Sequence, residues 1–361
     1  MALLPKYHRI LIVLFLAILW LPMIGQALLN SATVSLSEQR ALKKRPDLPK
    51  KAQDWAAFPR TVDGFFADHF GFRGTVTHWN AWLRYQMWSP INQYAIYGQS
   101  GHLFYRDSAS LEYPEGPAFK TDNLNRLLQF LVQLNNYFKK QNVRFLFTSP
   151  PDNATVNDVF LPRWARKRPV LTSYDFVMQQ LKERGIPVLD LRPALRSENS
   201  LHPTYYRTDT HWNRLGATVA RNEIVRALGH PEWAVDLTKV LRGFSANAGA
   251  GDLAGMLAIG ADLHDEQPVM DFADYPHSDS PTVLVIGDSF LTFFPPVWAN
   301  AGRLIVYPGG LCDFSFKGIA DSRPEFVVFA PTERYLDTMN CPIPSFPATN
   351  KEYQIPASGK P

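Results

Sequence analysis

The chain of 361 residues is 46% hydrophobic and 13% aromatic, ample for a sizeable core, which excludes an intrinsically disordered polymer. Its formal charge of +4 is uneven: residues 1–60 hold nine Lys/Arg against three acids, a net +6, leaving the other 301 residues at −2. A near-neutral body behind a basic leader excludes a nucleic-acid-binding domain, whose basic face belongs on the folded part, and suits a membrane-proximal stem with lysines against anionic headgroups.

Lys6 and Arg9 precede Ile10–Leu29, an uncharged, Leu/Ile/Val-rich run that as a helix reaches about 30 Å, enough to cross a bilayer core. The run reads either as a retained anchor with residues 1–9 in the cytoplasm or as a signal peptide. Gly25-Gln26-Ala27, after a helix-breaking Pro22, offers a processing site, whereas the apolar length favours retention and export of the body. Residues 30–60 read as a basic, extended stem, with Lys43-Lys44-Arg45-Pro46 and Pro49-Lys50-Lys51 opposing regular structure. From Thr61 to Trp88 a helix-like pattern carries Phe65, Phe66, Phe70, Phe72, Trp79, Trp82, Tyr85 and Trp88, for which core packing is the default expectation.

Tyr94–Tyr105 reads as a hairpin around Gly98-Gln99-Ser100-Gly101, with His102 in a structural role. Thr121 or Asp122 then caps a helix with Leu124, Leu127, Leu128, Leu131, Leu134 and Phe138 on one face. A buried strand follows at Val143–Thr148, a helix at Tyr174–Arg184 stopped by Gly185, and a strand at Ile186–Asp190. This alternation predicts an α/β fold with a parallel sheet covered by helices. Leu215, Val219, Ile224 and Leu228 give a further helix ending at Gly229.

The stretch His230–His277 reads as a polar loop region. Its Gly249-Ala250-Gly251-Asp252 run lacks a P-loop ending and follows no clear strand, so no phosphate cofactor is expected. Strands at Val283–Ile286, Leu304–Tyr307 and Phe326–Ala330 complete the sheet. The proline-rich tail from 341 is left without structure. Cys312 and Cys341 either pair in an oxidising compartment or stay as free thiols, and neither fits a zinc-type spacing.

Two stretches carry chemistry. Gly287-Asp288-Ser289 ends a buried strand with a hydroxyl at its carboxyl end, where open α/β sheets place their sites. Tyr205-Tyr206-Arg207-Thr208-Asp209-Thr210-His211-Trp212-Asn213 places a carboxylate two residues before an imidazole at the start of a helix. Joined in space, they give Ser289 as nucleophile, His211 as general base and Asp209 as the group that orients the ring. The competing structural reading makes Asp209 a helix N-cap and Gly-Asp-Ser a plain turn. Tyr205, Tyr206 and Trp212 are candidates to stack on a sugar, with Ser149, Asp152, Asn153 and Arg334 as further pocket-wall residues. A metal site from His202, Asp209, His211 and Asp288 is the outsider.

Asp68-His69-Phe70-Gly71-Phe72-Arg73, Gly98–Tyr105, Tyr206–Asn213 and Ile286–Phe290 occur in an order that resembles the SGNH-hydrolase-like proteins of alginate O-acetylation, the AlgJ and AlgX type. The resemblance spans roughly residues 55–336 and rests most on the run holding Asp209 and His211. Ordinary SGNH esterases carry the serine first, whereas here Ser289 comes last, the permuted order of this family. The resemblance implies a three-layer sandwich over residues 61–340 and a cofactor-free acetyltransferase in the periplasm, tethered to the inner membrane through residues 10–29. It also implies a polysaccharide acceptor, a membrane-bound O-acyltransferase as acetyl donor, and a triad of Ser289, His211 and Asp209. His102 departs from the tryptophan frequent in relatives, and Asp152-Asn153 replaces a frequent lysine. A secreted acetylesterase with the same triad, and a noncatalytic polysaccharide-binding assembly protein, are the alternatives.

Overall fold

The computed structural model describes residues 6–28, 33–35, 40–87, 94–106, 121–166, 171–276, 281–307 and 316–338. Cys312, Cys341 and the proline-rich tail, on which sequence expectations fell, lie outside the described residues. The chain divides into two compact units, Met1–Ser89 with Ala254–Asp262, and Pro90–Leu253 with Leu263–Pro361.

In the first unit, α1 (Lys6–Leu28) contains the apolar span Tyr7–Gln26. Pro22 lies inside this helix rather than ending it, because a proline removes one backbone bond and the turns on either side retain theirs. The stem is less irregular than expected: β1 (Val34–Ser35) pairs antiparallel with β2 (Arg40–Ala41), and a 3-10 turn at Ala52–Ala56 leads into α2 (Phe58–His69). After a tight turn comes α3 (Arg73–Gln86). The aromatic set does form helices, but core packing fails for part of it: Phe66, Phe70 and Trp79 are about half exposed. Trp88 lies outside the described residues.

The second unit begins with the expected hairpin, β3 (Ala95–Tyr97) against β4 (Leu103–Tyr105). Then α4 (Thr121–Lys140), β5 (Arg144–Thr148), the short α5 (Asn153–Val156), α6 (Ser173–Glu183) and β6 (Val188–Leu189) follow. Thr172 and Asp175 form a reciprocal capping box at the start of α6, and Gly185, with φ +67°, ends it in the left-handed conformation that glycine tolerates best. Next come α7 (Arg192–Asn199) and α8 (Arg214–Ala227), and then a region the sequence left as loop. It contains α9 (Leu237–Val240) and an antiparallel ribbon of β7 (Leu241–Gly249) with β8 (His264–Met270), from which the chain departs at α10 (Asp252–Met256). The ribbon was hidden because its register shifts twice, Pro268 interrupts β8, and few of its residues are apolar. Last come β9 (Thr282–Gly287), β10 (Arg303–Tyr307), α11 (Phe316–Ser322) and β11 (Phe326–Ala330).

Five strands form one all-parallel sheet in the order β10-β9-β11-β5-β6. Period-two alternation divides its side chains between two cores. Phe145, Phe147, Leu284, Ile286, Val327 and Phe329 pack with the apolar faces of α4 and α6. Leu146, Val283, Val285, Phe326 and Val328 pack with α8 and Leu195 of α7. Each such buried aliphatic or aromatic side chain contributes roughly 1.5–3 kcal/mol. Helices therefore cover both faces, the three-layer α/β sandwich the sequence predicts, and β9 lies inside the sheet with its carboxyl end leading directly into Ser289.

Candidate active site

After Gly287 the chain turns into a 3-10 helix at Ser289–Phe293, capped by Asp288, whose side chain accepts from the Phe290 amide at 3.2 Å. Thr332, just beyond β11, donates its amide and hydroxyl to the same carboxylate at 2.8 and 2.7 Å. Asp288 is thus consumed in fixing the turn, and Ser289 projects exposed at the carboxyl rim of the sheet. Gly287 has to be glycine: a Cβ there would meet the Ala330 carbonyl of β11 at 2.4 Å.

The second stretch has no regular structure. A bridge between Tyr205 and Trp212 closes residues 206–211 into a loop, and α8 begins only at Arg214. Asn213 is the N-cap, accepting from the Leu215 and Gly216 amides at 2.9 and 3.0 Å. Because Asn213 takes that duty, the Asp209 carboxylate is left for the imidazole, and the N-cap reading of Asp209 fails.

His211 Nε2 lies 2.8 Å from Ser289 Oγ, and His211 Nδ1 lies 2.7 Å from Asp209 Oδ1. A carboxylate beside Nδ1 requires that nitrogen to carry the proton, so Nε2 is the acceptor and the serine hydroxyl donates to it. Burial pushes the Asp209 carboxyl up, but the hydrogen bond and charge of His211, with the amides of Asp252 and His211, outweigh it and hold Asp209 below the ordinary range. The arrangement can take a proton from a serine hydroxyl and hold the resulting imidazolium.

Three elements pin the loop. Asn153 in α5 donates to the carbonyls of Tyr206 and Asp209 at 3.0 and 3.2 Å. Buried Asp265 in β8 accepts from the Arg207 and Thr208 amides. Asp252, at the start of α10, accepts from the Thr210 amide and hydroxyl at 2.8 and 2.7 Å and donates its own amide to Asp209 Oδ2 at 2.9 Å. A Cβ on Gly251 would sit 2.4 Å from Asp209 Cβ, so only a glycine lets the two segments approach this closely.

Sequence reasoning missed this second carboxylate, whose Oδ2 lies 3.6 Å from His211 Nδ1. The glycine run around Asp252 was the available signal. Burial and the Asp209 charge push the Asp252 carboxyl up. Asp209, His211 and Asp252 are the one set of three potential metal ligands among the described residues, but their oxygens already accept amide and hydroxyl donors and the imidazole is engaged. His202 pairs instead with Glu198 at 2.8 Å, so the outsider metal set does not assemble.

Most residues expected to face a sugar are buried supports. Trp212 is fully buried, donates Nε1 to the Phe290 carbonyl at 3.1 Å and packs edge-on to the Phe290 ring, tying the loop to the serine turn. Tyr205 donates to the Pro151 carbonyl at 2.6 Å and Ser149 to the Pro331 carbonyl at 2.7 Å. Asp152 pairs with Arg334 at 3.1 Å, and the guanidinium lies over the rings of Tyr105 and Phe290. Tyr205, Trp212, Ser149, Asp152, Asn153 and Arg334 are thus all buried, their polar contacts made to other protein groups. Tyr206 alone of the set is half-exposed. Its ring tilts against Phe293, itself 5.8 Å from the His211 ring, a residue the sequence reading did not single out. His102 is structural as expected: it stacks on Phe160 at 4.0 Å, and burial pushes it down to about 4.

Residues 95–291 match the family model described as "SGNH hydrolase-like domain, acetyltransferase AlgX", a range that includes Asp209, His211 and Ser289. No curated protein sequence matches the chain. Among solved structures, the O-acetyltransferase domain of Pseudomonas putida AlgJ superposes with a TM-score of 0.52 at 17% identity, covering 68% of this chain and 93% of that one. A DHHW family protein from Eubacterium siraeum (0.46, 14%, 68% and 96%) and Pseudomonas aeruginosa AlgX (0.43, 15%, 66% and 62%) overlap less well.

Proposed function

Since the chain belongs to the SGNH hydrolase-like acetyltransferase family of the AlgX type, we propose that it transfers acetyl groups onto hydroxyls of an exopolysaccharide, alginate or a related polymer, through an acetyl-Ser289 intermediate. The observation that carries this reading is the continuous relay from Ser289 Oγ through His211 to Asp209, with contacts of 2.8 and 2.7 Å. Ser289 Oγ attacks the carbonyl of an acetyl donor while Nε2 takes its proton. The tetrahedral oxyanion is met by backbone amides at the start of the 3-10 turn, that of Ser289 among them, each such donor being worth about 3 kcal/mol. His211 returns the proton to the departing donor. It then takes the proton of a sugar hydroxyl as that oxygen attacks the acetyl-serine, and passes the proton to Ser289 Oγ as the acyl–Oγ bond breaks.

Transfer prevails over hydrolysis when the acceptor is held at the rim better than water. Tyr206 and Phe293, beside His211, are suited to stack on a sugar face in place of the buried Tyr205 and Trp212. Exported to the periplasm and held to the inner membrane by α1, the domain would receive acetyl groups from a membrane-bound O-acyltransferase. The test uses the purified full chain in detergent with a chromogenic acetyl ester, with and without an oligosaccharide acceptor. Turnover lost in Ser289→Ala, with acetylated sugar formed by the wild type, supports the proposal. Acetate as the sole product with every acceptor tried would favour the esterase alternative, and full turnover in Ser289→Ala would end both.

A further inference from the structure

The first unit holds an apolar surface that the proposed acetyl transfer does not use. In α3 and the residue after it, Val76, Trp79, Leu83 and Met87 recur at spacings of three and four, which puts them on one helical face. They are 58, 56, 47 and 72% exposed, and Phe66 and Phe70 at the end of α2 are similarly open. A run of large apolar side chains this dense is not an ordinary solvent surface.

The turn joining α2 to α3 is pressed against the end of the apolar span of α1: a Cβ on Gly71 would lie 2.1 Å from the Pro22 carbonyl oxygen and 2.5 Å from the Gln26 amide nitrogen. Phe72 holds the left-handed φ of +64°, unusual for a bulky residue, with its ring against Gly25. The start of α3 is thereby fixed where α1 reaches the end of its membrane-length segment. The same unit also exposes Lys43, Lys44, Arg45, Lys50, Lys51 and Arg60. Aromatic and aliphatic side chains on one helical face, in a unit that also exposes Lys and Arg, match the chemistry of a bilayer boundary, apolar below and anionic at the phosphates.

We propose that α3, with the end of α2, is an interfacial helix lying in the headgroup layer of the membrane that α1 enters. The inference rests on α1 crossing that membrane and is independent of the acetyl chemistry. To test it, the full chain is reconstituted in vesicles of phosphatidylethanolamine and phosphatidylglycerol that contain a phospholipid with a diazirine-bearing acyl chain. After photolysis, lipid adducts are mapped by peptide mass spectrometry. Adducts are expected on α1 and on Val76, Trp79, Leu83 and Met87. The double variant Trp79→Ser/Leu83→Ser, altered only at exposed positions, should lose the α3 adducts and keep those on α1. A labelled α1 beside an unlabelled α3 overturns the inference and leaves the anchor standing, and this includes the case in which a copurifying protein covers the face. An unlabelled α1 overturns both.

Discussion

Ser289 and His211 lie 2.8 Å apart, yet the chain delivers them by different means. Ser289 follows a strand paired on both sides along its length, so the backbone ladder sets its position and Asp288 locks the turn. His211 belongs to a six-residue loop with no ladder of its own, held by side chains of Asn153, Asp252 and Asp265 reaching in from three other elements. Ser289 is therefore placed by main chain and His211 by side chains. Changes distant in sequence should disturb His211 more readily than Ser289.

The severest break removes the Ser289 hydroxyl or the carboxylate that orients His211. Ser289→Ala and Asp209→Asn should each lower acetyl-ester turnover by on the order of 10⁴-fold, with circular dichroism unchanged, because each leaves the fold but not the relay. Next, Gly251→Val should push on Asp209 and cost about 100-fold in kcat, the scale of an ångström's misplacement. The matching insult on the nucleophile side, Gly287→Ala, should appear first as a loss of about 1–3 kcal/mol in thermal stability, since its added methyl strikes the neighbouring strand.

Asp252→Asn sharpens the contrast further. A carboxyl raised by burial and by Asp209 is most favourable to folding below its ordinary titration range, and that contribution is lost as pH rises through the folded-state value. The neutral variant should lose less stability than the wild type between acidic and neutral pH. Its turnover should nonetheless fall about tenfold, because an NH2 donor replaces one of the two oxygens that accept from Thr210 beside the imidazole.

The smallest effect on turnover lies outside the relay. His102 is held down to about 4, so its neutral form stabilises the fold fully above about pH 6.5, and that contribution is lost as pH falls towards 4. About 2 kcal/mol should be gone by pH 5, and His102→Phe should flatten that slope in acid thermal melts without altering turnover at neutral pH.

Much of the architecture was legible in the residues themselves. Alternating apolar positions in β5, β9 and β11, the apolar stripe of α4, and glycine stops at Gly185 and Gly229 are local signals, because side-chain period and backbone conformation are fixed within a few bonds. The order of motifs identified the family, and the two stretches that meet at the rim were the ones singled out. Illegible were the β7–β8 ribbon, the approach of Gly251 and Asp252 to the loop, and the inward-facing roles of Tyr205, Trp212, Asn153 and Arg334. Each of these depends on which distant segments become neighbours, and burial and hydrogen-bond partners exist only once the sheet order and its covering loops are set. Sequence determined which hydroxyl, imidazole, carboxylate and aromatic groups were available; tertiary packing decided which of them face solvent and which are buried, because burial depends on which distant segments become neighbours.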